Sequence, residues 1–157
     1  MIWEPRAVYG FVRAAGFRTD QWAPAVALVL ACSGGDDLFR DVAWPGPALD
    51  RRGLFGLDVV AHPELAGVDL FDPRSNCHAA YALSVAANGD WGWAGCPMPA
   101  TDSEAFTAAK AAVRAGPGGQ VITAGGVGPV SSPATRRVMV DLAGISDYVR
   151  SRIVSGG

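Results

Sequence analysis

Lysine is almost absent from this chain: Lys110 is the only one in 157 residues, and arginine supplies the other positive side chains. Charged residues of both signs are scarce as well, at 18% with a net charge of −2, and no basic run exceeds the pairs Arg51-Arg52 and Arg136-Arg137. Such a chain has no electrostatic footprint for a phosphate backbone, so nucleic acid is excluded as a partner class. Cysteine is sparse too. Cys32, Cys77 and Cys96 form no Cys-x-x-Cys pair and no zinc-type spacing, so neither a metal nor any other cofactor is expected. Three buried or partly buried thiols are the expected state, against one disulfide and one free thiol, and the spacing does not choose a pair. Long apolar runs are missing: the longest, around Ala23 to Cys32, falls short of the roughly 20 residues needed to cross a bilayer, so no membrane partner is expected. Met1 to Arg6 lacks the charged-then-apolar layout of a signal peptide, which leads us to expect synthesis in the cytoplasm.

What is present is apolar content, 50% of the chain, enough for one compact core with an appendage. Pro5 to Ala15 reads as a helix closed by Gly16, with Val8, Phe11 and Val12 at helical spacing. Thr19 or Asp20 can cap a second helix running to about Cys32, apolar nearly all round and therefore central. Ser33-Gly34-Gly35 ends it. Residues 36–57, rich in proline and glycine, read as loop with a short hairpin, and His62 to Leu65 as a helical turn. Asp72-Pro73 starts a helix that stops at Asn88-Gly89. Thr101-Asp102-Ser103-Glu104 reads as a capping box for a helix to about Ala115.

Beyond Gly116 the composition changes. Residues 117–132 are glycine-rich and uncharged and read as a flexible or extended connector. Ser132-Pro133 opens a last helix over 133–157, on which Val138, Leu142, Ile145, Val149 and Ile153 form an apolar stripe suited to a partner surface or to the chain's own core. The expected organisation is a domain over 1–116, the connector, and this terminal helix.

Four segments in order resemble the lysozyme-like and lytic-transglycosylase-like domains of phage and actinobacterial type. Gly16-Phe17, the apolar helix and Ser33-Gly34-Gly35 resemble the family's opening. Gly53-Leu54-Phe55-Gly56-Leu57-Asp58 lies where the family has a Gly-Leu-Trp-Gln-Ile-Asn type of strand lining the cleft. Ala61-His62-Pro63 and Leu70 to Asn76 are similar to the segment leading into the next family helix, and Trp91-Gly92-Trp93 to its tryptophan-containing turn. The resemblance implies a mostly helical α+β lysozyme-like fold with a small hairpin or irregular strand region and an appended C-terminal helix. It also implies a glycan cleft lined by Ser33, Phe55, Gly56, Asp58, Trp91 and Trp93.

In that family the residue before Ser-Gly-Gly is usually a glutamate, the general acid on the glycosidic oxygen, and here it is Cys32. A thiol is a weak donor with an unperturbed pKa of about 8.5, and it is too short to reach that oxygen. General acid catalysis contributes roughly 10²–10⁴-fold, so its loss leaves little activity. Gly56 and Leu57 depart from the family's cleft residues too. Asp36, Asp37 and Asp58 are the fallback carboxylates, each with a plainer role in a loop or turn. A cysteine peptidase fits poorly: Cys32 follows its helix, whose negative end disfavours thiolate, and His62 and His78 are the only bases. Trp91 and Trp93 suit either stacking on sugar rings or closing the core. The expectation is thus a catalytically inactive lysozyme-like protein, a structural or cell-wall-contacting component of a phage tail or similar particle. Its partners would be other particle subunits, through the terminal helix, and peptidoglycan strands. An active muramidase or transglycosylase and a free glycan-binding module are the alternatives.

Overall fold

The computed structural model describes residues 1–43, 48–119 and, as backbone, 121–122. Strand β1 (Ile2–Trp3) leads into helix α1 (Pro5–Ala15), which has proline in its first turn, where the missing N–H costs nothing. Gly16 closes α1 at φ 107°, a conformation open to glycine. Val8, Phe11 and Val12 all face the core.

Thr19 and Asp20 do not cap the second helix. They begin a 3-10 turn, Thr19–Gln21, because the Gln21 side chain reaches back and accepts from the Arg18 N–H at 3.1 Å. Helix α2 (Trp22–Ser33) follows, buried from Ala25 through Val29 and ended by Gly34 at φ 64°. Strands β2 (Arg40–Ala43), β3 (Leu49–Arg52) and β4 (Leu57–Asp58) form one antiparallel sheet in that order, with Asp41 opposite Arg51 and Arg52 opposite Leu57. The expected hairpin thus carries a third strand.

After a 3-10 turn (Pro63–Leu65), helix α3 (Pro73–Ala86) opens as its Asp-Pro start implies: the Asp72 carboxylate accepts from the Ser75 N–H at 2.8 Å. Helix α4 (Glu104–Ala115) is capped by Ser103, not Thr101. A turn closed by Ser103 N–H on the Ala100 carbonyl carries the chain past Thr101, and the Ser103 hydroxyl then accepts from Phe106 N–H at 3.3 Å. Strand β5 (Val121–Ile122) pairs antiparallel with β1.

The core forms where α1 packs on α2, α3 and α4, and α2 also packs on α4. The mostly helical fold with a small antiparallel sheet is therefore present, and α4 is the last helix among the described residues. The terminal helix over 133–157, with Val138, Leu142, Ile145, Val149 and Ile153, lies outside them, as does Trp44.

Candidate functional site

Three segments converge at the C-terminal end of α2. The Ser33 hydroxyl donates, at 2.8 Å, to the carbonyl of Leu54 in the 53–56 turn, and accepts from Gly35 N–H at 3.2 Å. Cys32 is bonded to Cys96, across 64 residues of sequence, with Cα atoms 5.7 Å apart. The expectation of three free thiols is thereby corrected: tertiary packing, not spacing, brings this pair within disulfide reach. Cys77 stays free and buried in α3, where loss of solvation, with the Asp72 charge beside it, pushes its thiol far above the ordinary range and keeps it neutral.

Gly56, at φ 54°, lies directly against the bond: a Cβ there would strike Cys32 Sγ. A Cβ on Gly95 would come within 2.6 Å of the Gly56 carbonyl. Two glycines thus let the 53–56 turn and the segment before Cys96 close on the disulfide. Arg51 completes the arrangement. Its Nη1 donates to the Gly95 carbonyl at 2.8 Å and lies 3.3 Å from Cys96 Sγ, and its Nη2 pairs with Asp41 across the β2–β3 hairpin.

The residues expected to line a glycan cleft fare differently. Phe55 is 0% exposed, packed between Phe17 and Trp93 at 5.9 Å from each, so it does not face a ligand. Segment 53–56 is a turn and not a strand. With Gly53 at φ 70° and Gly56 at φ 54°, consecutive side chains Leu54 and Phe55 both turn inward. Trp93 is 7% exposed and closes the core, whereas Trp91 is half-buried, one ring face stacked on Phe17. The Ser33 hydroxyl is taken up by the contacts already given. Of the six, Trp91 and Asp58 keep partial exposure together with a side chain that can touch a sugar.

The fallback carboxylates are engaged as well. Asp37, at 8% exposed, is not the solvated loop residue its setting suggests: it accepts from Trp3 Nε1 at 3.0 Å and pairs with the Met1 amino group. Asp36 caps its own turn through Leu38 N–H at 3.0 Å. Asp58 accepts from Asp50 N–H at 3.1 Å and Val60 N–H at 3.0 Å, which fixes the end of β4.

Asp50 and Asn76 are missed by sequence reasoning. Asp50 receives the guanidinium of Arg52 and, less closely, that of Arg40, and these hold its carboxyl below the ordinary carboxylate range against the opposing effect of burial. A carboxylate depressed in the folded state adds stability above its unfolded value, about 4, and that stability is lost as pH falls through the folded value. Asp50→Asn is expected to flatten the acid side of the stability profile below about pH 4 while lowering stability at pH 7, as read by urea unfolding across pH 2.5–7. Asn76, fully buried, bonds three backbone groups of other segments and holds the 53–56 turn in place.

His62 Nε2 lies 3.2 Å from the Trp93 carbonyl, which ties the tryptophan turn to the 3-10 turn after β4. His78 is buried within α3, away from the α2 terminus in sequence. Among the described residues no group of three or more His, Cys, Asp or Glu side chains is placed to hold a metal, and no helix is long and apolar enough to cross a membrane. An open recess of about 290 Å³, lined by Arg18, Gln21, Tyr81, Ser84 and Asn88 among others, lies at the opposite end of α2. By helical rise this is about 15 Å from Cys32.

A compact helical domain whose central helix ends against a glycine-bounded turn and a tryptophan turn is the class this geometry defines. The family model described as a lysozyme-like domain matches residues 9–94, more than half of the chain, and the chain belongs to that family. The match takes in α2, the whole three-stranded sheet, α3 and both Trp91 and Trp93, and stops just short of Cys96. No curated protein and no solved structure matches the chain.

Proposed function

We propose that this chain is a non-cleaving lysozyme-like domain, serving as a structural or cell-wall-contacting component of a phage tail or similar particle. The carrying observation is the Cys32–Cys96 disulfide. It occupies the helix end where the resemblance assigns the family's general acid, and a disulfide has no proton to give. Asp36, Asp37 and Asp58, the fallback carboxylates, already accept from backbone amides or Trp3, which supports the reading that they do not replace the missing acid. A disulfide also persists in oxidising surroundings, which suits a protein that works after release from its host cell. The sequence spacing of Val138, Leu142, Ile145, Val149 and Ile153 is the expected surface for other particle subunits, and Trp91 and Asp58 are the expected contacts with glycan strands.

The test is loss of turbidity of purified peptidoglycan, with an active muramidase as control. The protein is expected to leave the suspension unchanged over hours, and clearing at a rate above that of buffer would overturn the reading. Cys32→Glu combined with Cys96→Ala restores a carboxylate at the helix end and removes the bridge. Clearing by this variant alone would identify Cys32 as the position of the lost acid. A pull-down on the same polymer then separates the two proposed roles: retention without cleavage supports cell-wall contact, and no retention supports assembly alone.

A further inference from the structure

The Cys32–Cys96 bond is electrically lopsided. Cys96 Sγ has the Arg51 guanidinium 3.3 Å away, aimed by a second bond to the Gly95 carbonyl. Cys32 lies in the last turn of α2, where the unpaired carbonyls of the helix end gather partial negative charge. One sulfur is thus prepared to carry a negative charge and the other is not. Both cysteines are partly exposed, whereas the third, Cys77, is buried and held neutral, so it cannot serve as an internal attacking thiol.

We propose that Cys32–Cys96 is a thiol-exchange site, opened by a dithiol reductant in a fixed direction: attack on Cys32, departure of Cys96. A thiolate of the dithiol bonds to Cys32 Sγ as the Sγ–Sγ bond breaks, and the electron pair leaves on Cys96 as a thiolate against Arg51. The second thiol of the reductant, ionised in turn, attacks its own sulfur in the mixed disulfide and releases Cys32. The reductant departs as a disulfide. Two electrons and two protons pass to the protein, and Cys32 and Cys96 end as thiols. Exchange is faster when the departing thiol forms a stable thiolate, which is what the Arg51 contact supplies. Opening removes the covalent tie between the end of α2 and the 91–96 turn and leaves the bonds of Arg51 and His62 as polar holds on that turn. The bond is a latch: open where dithiols are plentiful, closed after oxidation.

The test uses the native protein with dithiothreitol, following reduction by mass after acid quench, in the parent, Arg51→Gln and Arg51→Lys. Arg51→Gln is expected to slow reduction about tenfold through loss of a charge-assisted contact, with Arg51→Lys recovering most of the rate. A merely structural Arg51 predicts the opposite sign, since a looser segment would be reduced faster. An unchanged or faster rate in Arg51→Gln therefore overturns the proposal. A second measurement needs no variant: brief exposure of the parent to glutathione, followed by peptide mapping, is expected to place the adduct on Cys32. An adduct on Cys96 would also overturn the proposal.

Discussion

Replacing Cys32 and Cys96 together by alanine is expected to lower the unfolding free energy by about 4 kcal/mol and the melting temperature by roughly 10–20 °C. The bond closes a loop of 64 residues, and a crosslink of that span removes a large part of the conformational freedom of the unfolded chain. Local structure magnifies the effect. Between the end of α3 and the start of α4, residues 87–103 form no helix or strand, so few backbone bonds hold them to the rest of the molecule. The disulfide is their covalent tie to the core, beside the Arg51 contact with Gly95 and the His62 contact with Trp93. Calorimetry of the parent with and without reductant supplies the check. The reduced parent should melt close to the double variant, and a variant melting within about 2 °C of the oxidised parent would show that packing around Gly56 and Gly95 suffices without the bond.

How far the molecule was legible in its sequence depends on whether a feature is local or distant. Helices α1 and α3 begin and end where Pro5, Gly16, Asp72-Pro73 and Asn88-Gly89 mark them, because capping and proline geometry are settled within a few residues. The resemblance points to the end of α2, where Ser33 bonds the Leu54 carbonyl and Gly56 lies against Cys32. The roles within the site were not legible, since they depend on contacts across tens of residues. Phe55 reads as a cleft residue if 53–58 is a strand, because alternate side chains then face opposite sides. Two glycines at positive φ make it a turn and send Phe55 into the core. The disulfide partner of Cys32 is set by how the coil before α4 folds back, which no local pattern records. Arg51 and Asp41 face each other across the β2–β3 pair, a register that no local pattern records, so the approach of Arg51 to Cys96 was invisible as well. Capping of α4 shows the same limit on a small scale: the box motif was present, and a turn at 100–103 shifted the cap to Ser103.

Asn76→Ala is expected to destabilise the domain by about 3–5 kcal/mol, since it strands several buried polar groups at once. The Asn76 side chain, 0% exposed, accepts from Phe55 N–H at 2.9 Å and donates to the carbonyls of Leu70 at 2.9 Å and Arg52 at 3.0 Å. One amide therefore joins α3 to the sheet, to the turn beneath the disulfide and to the chain segment before the helix. Water cannot take over these bonds without entering the core, and each unsatisfied buried group costs about 1–3 kcal/mol. Gly53 is bound to the same arrangement, because a Cβ there would strike both the Leu70 carbonyl and the Asn76 amide. Asn76→Asp sharpens the expectation. At neutral pH the introduced carboxylate would still accept from Phe55 N–H, but it would face two carbonyl oxygens with nothing to donate, and the loss should equal or exceed that of the alanine variant. Its folded-state pKa would be raised, so relative to the parent the Asn76→Asp variant should regain stability as pH falls and the carboxyl becomes able to donate once. Urea unfolding of both variants at pH 7 and pH 5 makes the comparison. A small and pH-independent loss in Asn76→Asp would mean that the 53–56 turn is held by the burial of Leu54 and Phe55 alone. In that case the site at the end of α2 would owe its shape to packing, with no contribution from this amide.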